Sequence, residues 1–263
     1  MSQLPVVFVS HGAPTLALDP GIVGSTWAEQ ANSWPKPELI VVISAHWQSA
    51  RLAITAASVP KQIYDFYGFP SELSAVSYRP SGSLEKAQWL ANLLGRQGWP
   101  CELNSEQGLD HGVWIPLMYM YPNADIPVLA LTLPRSSDPG LHYQLGTALR
   151  SLGQHHVLCI GSGGLTHNLS YFGRVAQHGP ALPVVADFRH WMLDHIERHD
   201  VATLLRYQQE APGAALNHPT VEHLMPLFVC LGAAGESTKT QIMDLGIDYG
   251  MLAMDGVVWQ PMN

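Results

Sequence analysis

Leu39-Ile-Val-Val-Ile-Ser-Ala45 runs directly into His46-Trp47. Four of its seven residues are β-branched and no charge interrupts it, so it reads as a strand buried on both faces, where alternation with polar residues is not needed. Three other runs have the same character: Pro5–Ser10 (PVVFVS), Pro127–Leu133 (PVLALTL) and His156–Gly161 (HVLCIG). Helical spacing fills the intervals. Ser83–Gly98 is an amphipathic stretch that opens on a serine cap and closes on glycine. Leu141–Leu152 and Val184–His199 follow the same period, and Thr220–Gly232 reads as a mostly apolar helix in which Pro226 is tolerable only near the first turn. The tail, Thr240–Trp259, has the composition for two more strands. Strands alternating with helices predict an α/β fold: a sandwich with a central mixed, largely parallel sheet flanked by helices, as a single domain over residues 1–263. The aromatic, Gly- and Pro-rich stretch Tyr64–Pro80 is expected to be a long ordered loop beside a site rather than a boundary between domains.

The composition narrows the function classes. An apolar fraction of 47% against 13% charged residues excludes a disordered chain. The net charge of −8, with no basic stripe, argues against nucleic acid as a partner. No run approaches the ~20 apolar residues that span a bilayer, and no basic-then-apolar leader opens the chain. The expectation is therefore a cytoplasmic protein without a membrane partner. Cys101, Cys159 and Cys230 are widely spaced and form no Cys-x-x-Cys pair, as suits a reducing compartment.

Histidine is the unusual count: 13, as many as lysine and arginine together. Their placement matters more than their number. The first strand runs into Ser10-His11-Gly12-Ala13-Pro14, the second into His46, and the fourth into Gly161-Ser162-Gly163-Gly164-Leu165-Thr166-His167. In open α/β sheets ligands bind beyond the carboxyl ends of the strands, so these three histidines can meet in one crevice. His223, at the start of the apolar helix, and His111, in Leu109-Asp110-His111-Gly112, are further candidates. Histidine is the commonest metal ligand, and Asp110 and Glu222 are candidates for orienting its rings. The glycines at 161, 163 and 164 do not form a phosphate cradle, because Thr166 stands where a third glycine is required and no Gly-Lys-Ser/Thr follows. Ser162 is not set in Gly-x-Ser-x-Gly, so a serine nucleophile is unsupported. Trp47, Tyr64, Phe66, Phe69, Trp114 and Tyr249 lie in or near the same loops and together suit a flat aromatic ligand.

Six motifs in order carry a family resemblance: Ser-His-Gly-Ala-Pro at 10–14, Ser-Ala-His-Trp at 44–47, Asp-Phe-Tyr-Gly-Phe-Pro at 65–70, Asp-His-Gly-x-Trp at 110–114, Thr-His-Asn-Leu at 166–169 and Pro-Thr-x-Glu-His-Leu-x-Pro at 219–226. Over essentially its whole length the chain resembles the class III extradiol ring-cleaving dioxygenases, in the branch that includes DOPA 4,5-dioxygenase-like proteins. The resemblance implies a non-haem Fe(II) held by His11, His46 and His223, with His167 as the acid–base residue and His111 near the substrate's oxygens. In the wider superfamily the third ligand is often glutamate. Glu222 is thus the alternative to its neighbour His223, and on a helix two adjacent side chains diverge by about 100°.

The implied reaction inserts O₂ into a catechol ring beside a hydroxyl-bearing carbon and yields a ring-opened semialdehyde. The partners are then a small catecholic substrate and O₂, with a homo-oligomer left open. An ordinary histidine pKa near 6.5 would suit His167 to take and return a proton. Three histidines also suit Zn(II), which binds such sites more tightly than Fe(II) and is an alternative occupant in purified protein. Two other functions stay open at this level: a zinc-dependent hydrolase on the same scaffold, and a Memo-like binding protein without catalysis.

Overall fold

The computed structural model describes residues 3–262. Its strands are β1 (Val6–Ser10), β2 (Leu39–Ser49), β3 (Leu52–Thr55), β4 (Cys101–Asn104), β5 (Val128–Pro134), β6 (Val157–Gly163), β7 (Thr238–Met243), β8 (Ile247–Asp248), β9 (Leu252–Ala253) and β10 (Gly256–Pro261). The helices are α1 (Gly21–Ser33), α2 (Leu84–Arg96), α3 (His111–Met120), α4 (Pro139–Ala148), α5 (Pro183–Glu197), the short α6 (Val201–Leu204), α7 (Tyr207–Glu210) and α8 (Ala214–Asn217), and α9 (Met225–Ala234). Eight strands form one mixed sheet in the order β4-β3-β5-β2-β6-β1-β10-β7. Its centre, β5-β2-β6-β1, is parallel throughout. β10 and β3 attach antiparallel on the two sides. This is the flanked, largely parallel sheet that the apolar runs predict.

The apolar run Leu39–Ala45 shows why. Along β2, Leu39, Val41 and Ile43 enter one apolar cluster with α2, α4, α5 and α9. Ile40 and Val42 enter a second with α1 and α3. Both faces are dry, so neither needs a polar residue. No helix among the described residues is long and apolar enough to cross a membrane.

Several expectations change in detail. The tail supplies four strands rather than two, of which β7 and β10 close one side of the main sheet. The helix expected over Thr220–Gly232 begins at Met225, with Pro226 in its first turn. Proline has no N–H to give and disfavours helix in the residue before it, which favours a helix start at this point. His223 consequently sits in a turn. α1, α3, β3 and β4 gave no sequence signal. α3 is buried over nearly all its length and contains Pro116, so it lacks the polar stripe that marks a surface helix.

Candidate metal centre

The carboxyl ends of the parallel strands converge on a cluster of imidazoles. His11 leaves β1, and its backbone N–H prolongs the pairing with β6 by donating to the Gly163 carbonyl at 2.9 Å. His46 does not follow β2, as expected, but lies within it. Between Ile43 opposite Leu131 and Gln48 opposite Leu133, β2 takes five residues where β5 takes two. This irregularity carries Ala45–Trp47 out of the ladder, while Ser44 still pairs with Ser162 of β6, and it re-aims His46. The turn with His223 is pinned to the end of β6, where the Gly164 N–H donates to the His223 carbonyl at 2.8 Å. His167 is held by its own N–H, which donates to the Asn217 carbonyl at 3.0 Å. His111 opens α3.

Nitrogens of His11, His46 and His223 lie within 4.8 Å of one another, and Nε2 of His11 stands 3.0 Å from Nε2 of His46. The hydrogen bonds decide which nitrogens are free. The Ser162 hydroxyl donates to the Gly112 carbonyl. Its single proton is thereby used, so toward His11 Nδ1, 3.0 Å away, it accepts. His11 therefore carries its proton on Nδ1 and offers a bare Nε2. The Glu222 carboxylate lies 3.1 Å from His223 Nδ1 and accepts from it, freeing the other nitrogen of that ring. Asp65 is 3.7 Å from His46 Nδ1 and favours a proton there. Carboxylate or hydroxyl behind an imidazole, with the far nitrogen turned inward, is how proteins present histidine to a metal. The donor set fits a divalent transition metal.

Electrostatics agree. Burial first, then the neighbouring imidazoles, hold His11 and His46 well below the ordinary histidine value. Burial also lowers His223, against the pull of Glu222. All three are neutral near pH 7, as a ligand must be. Glu222 is held at about 2 by its bond to His223.

His167 occupies a different position. Its ring stacks on His223 at 3.5 Å between centroids and 8° between planes. It shares no close ligand set with His11 and His46 among the described residues. Burial and the His223 ring lower it to about 3, which corrects the expectation of an ordinary value. It rests as a neutral base, and an anionic substrate beside it is what would raise its proton affinity. A small pocket lined by His11, Gly12, Gly164, His167, His223 and Met254 opens at this point. A second hollow, between Glu85, Trp89 and His155, lies where β2 and β6 begin, at the opposite end of the sheet.

His111 joins the cluster, its ring 4.1 Å from that of His46. Its partner is not the adjacent Asp110, whose side chain instead accepts from Ser44 Oγ at 2.6 Å. The partner is Asp65, which the sequence analysis did not single out. Burial would raise the Asp65 carboxyl, but bonds from His111 outweigh it and hold it at about 2. A clue was available in the Asp-Phe-Tyr-Gly-Phe-Pro motif, whose one charged residue is Asp65. The loop that carries it is ordered, as expected: Gln62 bonds to the backbone of Val76 and Tyr78, and the Tyr64 hydroxyl donates to the Val76 carbonyl. Phe66 sets its edge against His111 at 5.7 Å. Trp114 is fully buried and donates to the Ile63 carbonyl, so it supports this wall from behind rather than lining it.

Residues 6–254 match the family described as the catalytic LigB subunit of aromatic ring-opening dioxygenase. A 4,5-DOPA dioxygenase extradiol from Beta vulgaris is 37% identical over 251 residues, covering 94% of this chain and 92% of the relative. A protein of the same name from Escherichia coli (strain K12) is 33% identical over 262 residues, covering 96% and 93%. The crystal structure of an uncharacterized protein from Escherichia coli K12 superposes with a TM-score of 0.78 at 30% identity, over 97% of this chain and 99% of that one.

Proposed function

The chain belongs to the LigB family of aromatic ring-opening dioxygenases and is an extradiol dioxygenase; from that premise we propose that it opens a catechol ring beside a hydroxyl-bearing carbon, at one Fe(II) held by His11, His46 and His223. The observation that carries this reading is the convergence of three imidazoles, backed by Ser162, Asp65 and Glu222, with a fourth stacked on the last. The iron, when bound, supplies the redox chemistry that lets triplet oxygen react with a closed-shell catechol. The rest falls to the chain. His167, neutral at rest, accepts the proton of a catechol hydroxyl and holds it for return later in the turnover. His111 faces the substrate's oxygens, and Phe66 packs at its side against the ring. A catechol with an alkyl side chain, such as the DOPA in the relatives' names, is the proposed substrate class.

Protein loaded with Fe(II) without oxygen and then given O₂ with a panel of substituted catechols is expected to consume oxygen and form a yellow open-chain semialdehyde. His11→Ala and His46→Ala are expected to lose the metal. His167→Ala is expected to keep it near one per chain while turnover falls ~10²–10⁴-fold. No oxygen uptake with any catechol, or turnover with zinc that is independent of oxygen, overturns the proposal.

A further inference from the structure

We propose that Asp65 is a positioning residue that sets His111 and His46 together from the aromatic loop. The inference rests on the reading above, in which His46 is a ligand and His111 faces substrate. Asp65 Oδ1 accepts twice from one residue, from the His111 backbone N–H at 3.0 Å and from His111 Nδ1–H at 3.0 Å. Its other oxygen faces His46 Nδ1 at 3.7 Å. One carboxylate thus lies behind two rings whose centroids are 4.1 Å apart.

Three consequences follow from that placement. The first N–H of α3, that of His111, has no acceptor within its helix. Asp65 supplies the missing acceptor and a negative charge at the positive end of the helix. Holding the His111 proton on Nδ1 leaves Nε2 as the nitrogen free to meet a ligand. Finally, a carboxylate behind His46 makes the opposite nitrogen of that ring a better donor. Tyr64 and Phe66 flank Asp65, so the same bonds seat the aromatic wall: Phe66 lies against His111 and Tyr64 against Trp114. Substrate-side histidine, metal-side histidine and wall are therefore located by one side chain.

The test compares Asp65→Asn and Asp65→Ala with the parent protein. Asparagine keeps an oxygen for both His111 donors and removes the charge; alanine removes everything. The first readout needs no turnover: the tautomer of His111, read from ring ¹⁵N shifts in zinc-loaded, histidine-labelled protein. The Nδ1–H form is expected in the parent and in Asp65→Asn, and its loss in Asp65→Ala. In the Fe(II) enzyme, Asp65→Asn is expected to lower kcat ~10–100-fold with metal retained and KM little changed, and Asp65→Ala to lower metal affinity as well. An Asp65→Ala protein with the His111 tautomer, metal affinity and kcat of the parent overturns the proposal. So does an Asp65→Asn protein whose kcat is unchanged. If Asp65→Ala does not fold, the asparagine variant decides. A parent protein that consumes no oxygen with any catechol counts against the proposed reaction instead, and the tautomer still tests Asp65.

Discussion

At Gly163 the backbone of β6 passes so close to the turn bearing His223 that a Cβ would lie 2.0 Å from the His223 carbonyl oxygen. Gly163→Ala is therefore expected to push His223 away from His11 and His46. Metal titration should show affinity lower by ~10-fold or more. Urea unfolding should show a loss of about 1–3 kcal/mol, the usual cost of overpacking. The glycines flanking Ser162 lie in β6 rather than in the tight turn their sequence suggests, and which neighbour they admit is not local information, because that neighbour is 60 positions away in the chain. The choice between Glu222 and His223 was similarly closed to sequence. On a helix the two would diverge; in the observed turn the Glu222 carboxylate accepts from His223 Nδ1.

Among the elements, α9 does most to hold the site. It is buried on nearly every side from Met225 to Ala233, and it follows directly on the turn that presents His223. Its packing on α4 is backbone to backbone: a Cβ at Gly232 would lie 2.0 Å from the Tyr143 carbonyl oxygen. Gly232→Ala is expected to destabilise the fold by about 1–3 kcal/mol, although alanine is the better helix former, because steric separation of two packed helices outweighs a propensity gain of ~1 kcal/mol. A lowered urea midpoint checks it; an unchanged or raised midpoint refutes it. Apolar runs exposed the parallel strands and α9. They missed α3, whose short apolar run is interrupted by Pro116, a residue that reads as a helix breaker, yet α3 brings His111 into the cluster.

For the molecule as a whole, the concentration of buried imidazoles makes stability depend on pH. Burial, first among the causes, lowers His11, His46, His142, His167, His218 and His223, with His218 near 4 and His167 near 3. Below pH 6.5 the unfolded chain binds protons that the folded chain refuses, so this stability is complete above pH 6.5 and lost as pH falls toward 3–4. Asp110, raised by burial to about 6, and Asp248 and Asp255, also raised, work in the opposite direction but are fewer. The urea midpoint is expected to drop steadily from pH 7 to pH 4, and His218→Gln to flatten the slope; a midpoint level over that range would refute the prediction. The sequence by itself determined the α/β class, the parallel centre of the sheet and the histidines worth examining, because continuous apolar runs and strand-end residues are local features. Only the tertiary structure decided that His46 lies within a displaced stretch of β2, that His167 stacks on His223 and rests neutral, and that Asp65 rather than Asp110 stands behind His111. Ring orientation, protonation and hydrogen-bond partners depend on groups that are distant in the chain and adjacent only once the sheet has formed.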